Sequence, residues 1–343
     1  MKIAITADPF IPVPPELYGG IERIIDILIA ELVNRGHEVT LFAHENSNIN
    51  CKLIPYKTDK SGLKNHLSNA CTINKYLLTN KVDIVHSFGR LAYLLPLLPL
   101  RIPKLMSYQR EPTLSQIKKV STLSRSGSLS FTGCSNYIAD KIAPLAPAYT
   151  IYNCVDVEKY VPKYDTNADA PFVFLGRIEP IKGPHIAVEI AQATGKKLIL
   201  AGNVPTEHRT YFETMIKPFL GDQIQYVGAV NDLQKNELLG KAMALLMPIL
   251  WNEPFGIVMI EAMACGTPVV ALNRGAVPEV VISGLTGFIG DTMNELIKKI
   301  SLLNSIDRKA VRATVENRFS SEIIASNYLD LYEQLIDASI PQL

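Results

Sequence analysis

The stretch MKIAITADPFIPVPPELYGGIERIIDILIAELVNRGHEVTLFA, residues 1–43, decides the fold. Lys2 to Ala7 has the length and composition of a strand. A proline-rich loop runs from Asp8 to Gly19. From Gly20 to Asn34 the apolar residues fall at positions 21, 24, 25, 28, 29 and 32, the spacing of one helix face, and Gly36 is a C-terminal stop. Glu38 to Ala43 is again a strand. The three elements form a β-α-β unit.

The same alternation continues outward. Leu63 to Thr79 has a helical pattern, and strands are expected at Val82–His86, Lys104–Tyr108, Leu129–Thr132 and Tyr149–Tyr152. The polar stretch Val161 to Pro171 is the expected linker. Beyond it a second series begins: strand Phe172–Gly176, helix Pro184–Thr194, strands Lys197–Ala201 and Gln225–Gly228, helix Asp232–Lys241, strand Ala244–Leu250, helix Ile257–Ala264 and a final strand Pro268–Leu272. Helical pattern closes the chain at 293–303, 307–317 and 321–337. Alternation of this kind predicts an α/β protein with two doubly wound, largely parallel sheets covered by helices on both faces.

With 343 residues the chain is long enough for two domains of roughly 150 residues each. The formal net charge is +1, which offers no general field for nucleic acid and makes any anion site local. The five cysteines, Cys51, Cys71, Cys134, Cys154 and Cys265, are far apart and form no C-x-x-C pair, as expected of a reducing compartment. The start lacks the apolar core of a signal peptide. Leu91 to Leu105 is the most apolar stretch, but Pro96, Pro99, Arg101 and Pro103 interrupt it. Burial in the core is its expected fate, with peripheral membrane contact the alternative.

In a doubly wound sheet, ligands bind beyond the carboxyl ends of the strands. Arg177 directly follows one such strand, and Lys182-Gly183 closes the same loop. Asn203 follows the next strand, and Glu253-Pro254-Phe255-Gly256 follows Leu250. Two cations on one loop suit a diphosphate: arginine gives paired hydrogen bonds and lysine a point charge. Carboxylates accept from sugar hydroxyls, so Glu253 and Glu261 suit a hexose and a ribose. Their bland alternatives are a helix-start carboxylate and an exposed helical residue. Amides at Phe255, Gly256 and Ile257 are expected to be available as donors at a helix start. Gly19-Gly20 suits an anion at the first helix, or is a pair of turn glycines. The chain has no D-x-D triplet, no two histidines at a metal-ligand spacing on one helix, no G-x-G-x-x-G, no P-loop and no G-x-S-x-G.

These residues resemble a family 4 glycosyltransferase of the GT-B fold, and the likeness covers most of the chain. The segment Glu253-Pro-Phe-Gly-Ile-Val-Met-Ile-Glu261 matches the family's E-x7-E signature, and the strand after it continues the match to Ala271. Phe174-Leu-Gly-Arg177, Lys182-Gly183, Leu200-Ala-Gly-Asn203, Gly284-Leu-Thr-Gly287, Tyr18-Gly-Gly-Ile-Glu22 and Ile151-Tyr-Asn153 through Val155-Asp156 fit the same pattern. The resemblance implies two Rossmann-like domains facing across a cleft. Residues 1–160 would form the acceptor side and 161–324 the donor side, with 325–343 returning to the first domain. It implies that Arg177 and Lys182 bind the donor diphosphate and Glu261 the ribose. Glu253, with the amides of Phe255 to Ile257, would hold the transferred sugar, and Gly20 would let the first domain close on the phosphates.

The implied enzyme is a retaining hexosyltransferase that needs no metal or other cofactor. It would take a nucleotide-diphosphate sugar, with a uridine diphosphate sugar chosen on commonness, and a carbohydrate, lipid-linked or small acceptor. Its setting would be the cytoplasm or the inner face of the membrane. The sequence departs from the family at two places. Gln109 or a neighbour stands where a histidine is common, and Cys154 where glycine is common. His86, at the end of an earlier strand, is a substitute for that histidine or a polar strand end. The rival readings are a sugar-binding module without turnover, a nucleotide-cofactor oxidoreductase, and an epimerase or phosphorylase on the same fold.

Overall fold

In the computed structural model, which describes residues 1–16, 19–167 and 169–339, the chain divides into two units. The first comprises Met1–Cys154 and Ser321–Leu343, the second Val155–Ser320.

The first unit contains β1 (Lys2–Thr6), α1 (Gly20–Asn34), β2 (Glu38–Ala43), β3 (Lys52–Pro55), α2 (Leu63–Thr79), β4 (Ile84–Ser87), β5 (Lys104–Tyr108), α3 (Leu114–Leu123), β6 (Leu129–Gly133), α4 (Asn136–Ile142) and β7 (Ala148–Thr150). The strands make one parallel sheet in the order β3-β2-β1-β4-β5-β6-β7. They read as near-continuous apolar runs because helices cover both faces.

The second unit contains β8 (Phe172–Leu175), α5 (Pro184–Thr194), β9 (Leu198–Ala201), α6 (Arg209–Met215), β10 (Ile224–Tyr226), α7 (Asp232–Lys241), β11 (Ala244–Met247), α8 (Ile257–Ala264), β12 (Val269–Leu272), α9 (Val277–Val280), β13 (Gly287–Gly290), α10 (Met293–Ile300) and α11 (Arg308–Arg318). Its sheet is parallel in the order β10-β9-β8-β11-β12-β13. Pro268–Leu272 is therefore not the final strand, since β13 pairs beyond it. Both sheets reverse direction beside their first strand, at β1/β4 and at β8/β11, and such switch points open a crevice at the carboxyl edge.

The last helix, α12 (Ser321–Ser339), packs on α1 in the first unit. Ser321 Oγ donates to Glu31 Oε1 at 2.6 Å, and Arg35 donates to Ser326 Oγ and the Glu322 carbonyl at 2.8 Å each. The units divide at Cys154/Val155 and Ser320/Ser321, not at 160/161 and 324/325. The reason lies in the segment after Cys154. The Val155 amide donates to the Phe319 carbonyl at 2.9 Å and the Lys163 amide to the Cys265 carbonyl at 3.0 Å, so the expected linker begins inside the second unit.

Candidate active site

The loops after β8, β9, β11 and β12 meet at the carboxyl edge of the second sheet, and glycine lets their backbones touch. A Cβ on Gly183 would strike the Pro248 carbonyl oxygen, one on Gly202 the Gly176 carbonyl oxygen, and one on Gly275 the Glu253 backbone. All three glycines have positive φ, a region that side chains of other residues disfavour. The Leu250 amide donates to the Ile181 carbonyl (2.8 Å), the Ile178 amide to the Asn203 carbonyl (2.9 Å) and the Ala276 amide to the Glu253 carbonyl (2.8 Å).

This frame fixes the two expected cations against carboxylates. Arg177 Nη2 lies 2.8 Å from Glu179 Oε1, and His208 Nε2 lies 3.7 Å from Glu179 Oε2. Lys182 Nζ donates to Glu253 Oε2 at 2.7 Å, and Trp251 Nε1 donates to the same oxygen at 2.9 Å. The Lys182 ammonium stands 5.0 Å from the centre of the Trp251 ring. Glu179 and Glu253 are both buried. Each cation is thereby held in one orientation before any ligand arrives, the preorganisation that electrostatic stabilisation requires.

Gly256 is the N-cap of α8 and left-handed, with φ 81°. The first amides of α8 have no intrahelical acceptor and sit at the positive end of its dipole. Ile257 opens the helix. The Phe255 side chain turns away into the core, edge-on to Phe319 at 5.9 Å, so only its backbone belongs to this edge. Glu261 is buried rather than exposed. Its Oε1 accepts from Tyr160 Oη at 2.8 Å and from Lys235 Nζ at 2.5 Å. Cys265 ends α8; burial, and then the Glu261 charge, push its thiol up to about 12, which removes it as a nucleophile. Asn203 opens on a cavity of about 450 Å³ that Thr206, Arg209, Phe212 and Tyr226 also line.

The structure therefore brings together Lys182 and Glu253, places Arg177 on the same loop as Lys182, and sets Glu261 inside α8. Gln109, Gly19 and Gly20 belong to the first unit. Gln109 is half-buried just past the carboxyl end of β5. The neighbouring Arg110 reaches Asp8 Oδ2 at 3.3 Å, and Arg90 Nε reaches Asp8 Oδ1 at 3.1 Å. Gly20 starts α1. A Cβ on Gly19, its N-cap, would come within 2.6 Å of Pro15 Cβ and 3.0 Å of Glu22 Oε2. The chain's own Glu22 carboxyl thus lies beside this helix start, and burial raises its pKa. Tyr18 of the matching motif lies outside the described residues.

His86 is a core residue in place of a strand-end polar one. It is fully buried, Nδ1 bonded to Tyr332 Oη and Nε2 to Ser107 Oγ, both at 2.6 Å. Burial lowers its pKa to about 3. Sequence reasoning missed Glu179, Trp251, Tyr160 and Lys235. Trp251 carried a signal, since it is the sole tryptophan and lies two residues before Glu253. Among the described residues no group of three or more His, Cys, Asp or Glu side chains is arranged to hold a metal ion.

A parallel sheet in each unit and a cation–carboxylate cradle at the edge of the second define a class, and the comparisons agree with it. Residues 156–318 match the family model for glycosyl transferases group 1, and residues 18–159 match the model for glycosyltransferase family 4. The chain is a glycosyltransferase of the GT-B fold.

Among particular proteins, it is 24% identical to spore coat protein SA of Bacillus subtilis, over 97% of this chain and 100% of that protein. It is 28% identical to N-acetyl-alpha-D-glucosaminyl L-malate synthase of Bacillus anthracis over 59% of this chain and 57% of that one. Sucrose-phosphate synthase from Thermosynechococcus elongatus superposes with a TM-score of 0.82 at 21% identity, covering 98% of this chain and 99% of that chain. HepE from Anabaena, solved in complex with UDP and glucose, superposes with a TM-score of 0.74 at 19% identity, covering 97% and 99%.

Proposed function

We propose that the chain moves a hexosyl group from a nucleotide-diphosphate sugar, with uridine diphosphate as the carrier, to an acceptor hydroxyl with retention of configuration. The observation that carries this reading is the pair of cations, Arg177 and Lys182, on one loop at the sheet's switch point, each held by a buried carboxylate. They supply, from side chains, the positive charge that a leaving diphosphate needs. The reaction then needs no metal ion for that step.

The bond between the anomeric carbon and the diphosphate oxygen breaks while the acceptor oxygen bonds to that carbon on the same face. The acceptor proton passes to the departing phosphate oxygen. Arg177, Lys182 and the first amides of α8, including those of Gly256 and Ile257, stabilise the charge that develops. Lys182 and Trp251 both donate to Oε2 of Glu253, leaving Oε1 to accept from a hydroxyl of the transferred sugar. Glu261 holds the ribose hydroxyls. The cavity beside Asn203 has the size range of small-ligand sites and takes the nucleoside.

Gly19, Gly20 and Gln109 enter this proposal through the resemblance alone, and substitution at each tests it separately. The acceptor is assigned to the first unit, where Asp8, Arg90 and Arg110 cluster at the carboxyl edge. Among the described residues no disulfide joins any of the five cysteines, in keeping with the proposed cytoplasmic setting. The deciding experiment follows nucleoside diphosphate release from labelled donors with and without candidate acceptors, and reads the anomeric configuration of the product. Release that depends on inorganic phosphate, or a product that is only an epimer of the donor, would replace transfer with the phosphorylase or epimerase reading.

A further inference from the structure

The near-zero net charge hides a strong local excess. Residues 52–125 carry 13 lysines and arginines against three acidic residues. This stretch contains α2, the short helical turn Leu91–Leu97 and α3. Each of them connects strands that step in the same direction across the first sheet, from β3 to β4, β4 to β5 and β5 to β6. Right-handed crossovers put all three on one face of that sheet. The Leu91–Leu97 turn packs against α2. Neither α2 nor α3 contains an acidic residue.

The face is also apolar where water should favour polar groups. At about 100° per residue, Leu63, Leu67, Cys71, Asn74 and Leu78 fall on one stripe of α2, opposite the buried Asn69 and Ile73. Leu63 is 77%, Leu67 53% and Leu78 72% exposed. Lys64 and Lys75 run along the edge of this stripe and are exposed. On α3 the outward side carries exposed Lys118 and Lys119 between exposed Leu114 and Leu123. The apolar stretch Leu91–Leu105 is a different matter: most of its side chains are buried, so it does not itself present the surface.

We infer that this face of the first unit docks on an anionic lipid surface. Leucines in a stripe edged by lysines are the pattern of a helix lying in a membrane interface. A polyanion such as nucleic acid would use the lysines but leave the leucine stripe in water. Among the described residues no helix is long and apolar enough to cross a membrane, so the contact is peripheral. The inference is independent of the glycosyl-transfer reading, because it needs neither donor nor acceptor.

The test is sedimentation of the full chain with vesicles of phosphatidylcholine alone and with vesicles that also contain phosphatidylglycerol. Binding is expected to the anionic vesicles and to fall as salt rises. The double variant Lys64→Glu, Lys75→Glu should lose at least roughly twenty-fold in partitioning, about five-fold for each lysine. Leu63→Asn with Leu67→Asn should remove the part of binding that survives raised salt, on the order of ten-fold or more. Far-UV circular dichroism identifies any variant that fails to fold, and Lys118→Glu with Lys119→Glu on α3 then carries the charge test. Absence of binding to anionic vesicles at low ionic strength, equal binding to both vesicle types, or folded charge-reversal variants that bind as the wild type would overturn the inference. So would capture by a soluble polyanion with the vesicles left bare.

Discussion

In the proposed reaction, Lys182 is the residue on which the chemistry turns. Its ammonium is poised between the Glu253 carboxylate and the Trp251 ring, so the proposed diphosphate would meet a charge already oriented. Replacing Lys182 or Arg177 with alanine should lower kcat/KM by on the order of 10²-fold or more, about 2.7 kcal/mol of transition-state stabilisation, in a steady-state assay of nucleotide release. Turnover near wild type in both variants would remove these side chains from the mechanism. A second residue-scale expectation concerns stability. His86 is held neutral in the folded chain, with a pKa near 3 against 6.5 when unfolded. Its contribution is fully present above pH 6.5. It is lost as pH falls from 6.5 toward 3, because the unfolded state then binds the extra proton. The slope approaches about 1.4 kcal/mol per pH unit. Urea titrations over this range should show that slope in the wild type and a shallower one in His86→Asn; parallel curves would contradict it. The sequence made legible that Arg177, Lys182 and Glu253 sit on loops just past strands of one sheet; their roles belong to the proposed reaction. Glu179 and Lys235 were not legible, because what makes them matter is the partner the fold brings to them.

At the scale of elements, the site depends on loops that touch backbone to backbone. Gly183 and Gly202 have positive φ and no room for a Cβ, whereas Gly36 has positive φ and open space around it. Gly36→Ala should therefore cost only the conformational term, about 1–2 kcal/mol. Gly183→Ala and Gly202→Ala should cost that and the displacement of a neighbouring carbonyl, on the order of 1–3 kcal/mol more. Denaturant midpoints compare the three directly; equal losses would show that the loops are free to separate. Among the strands, all but β3 and β13 were readable. Apolar spacing placed α1, and the α2, α5, α7 and α8 segments read as helices coincide with the observed ones. β3, Lys52-Leu-Ile-Pro55, went unread because it is a four-residue edge strand with proline in it. β13, Gly287-Phe-Ile-Gly290, went unread because glycine at both ends looks like a turn. α3, α4, α6 and α9 were passed over; α4, α6 and α9, with seven, seven and four residues, carry too few turns to show a period, and α3 buries only Ile117 and Val120.

For the whole molecule, the alternation of strands and helices made two parallel sheets predictable, and the division between them depends on contacts no local pattern contains. The Val155 amide joins the second unit by bonding to Phe319, distant in sequence. Net charge was the composition measure that informed least, since an average of +1 concealed the basic stretch 52–125. Ligand linkage gives a further expectation. A nucleoside diphosphate at about a hundred times its Kd should stabilise the protein by about 2.7 kcal/mol and raise its melting temperature, and Lys182→Ala should reduce that rise at the same concentration. The most direct test of the account is a calorimetric titration of uridine diphosphate and uridine monophosphate into the wild type and Lys182→Ala. The diphosphate should bind more tightly than the monophosphate in the wild type, and the substitution should remove most of that difference. Failure of any nucleoside diphosphate to bind, or a Lys182→Ala protein that discriminates as the wild type does, would contradict it.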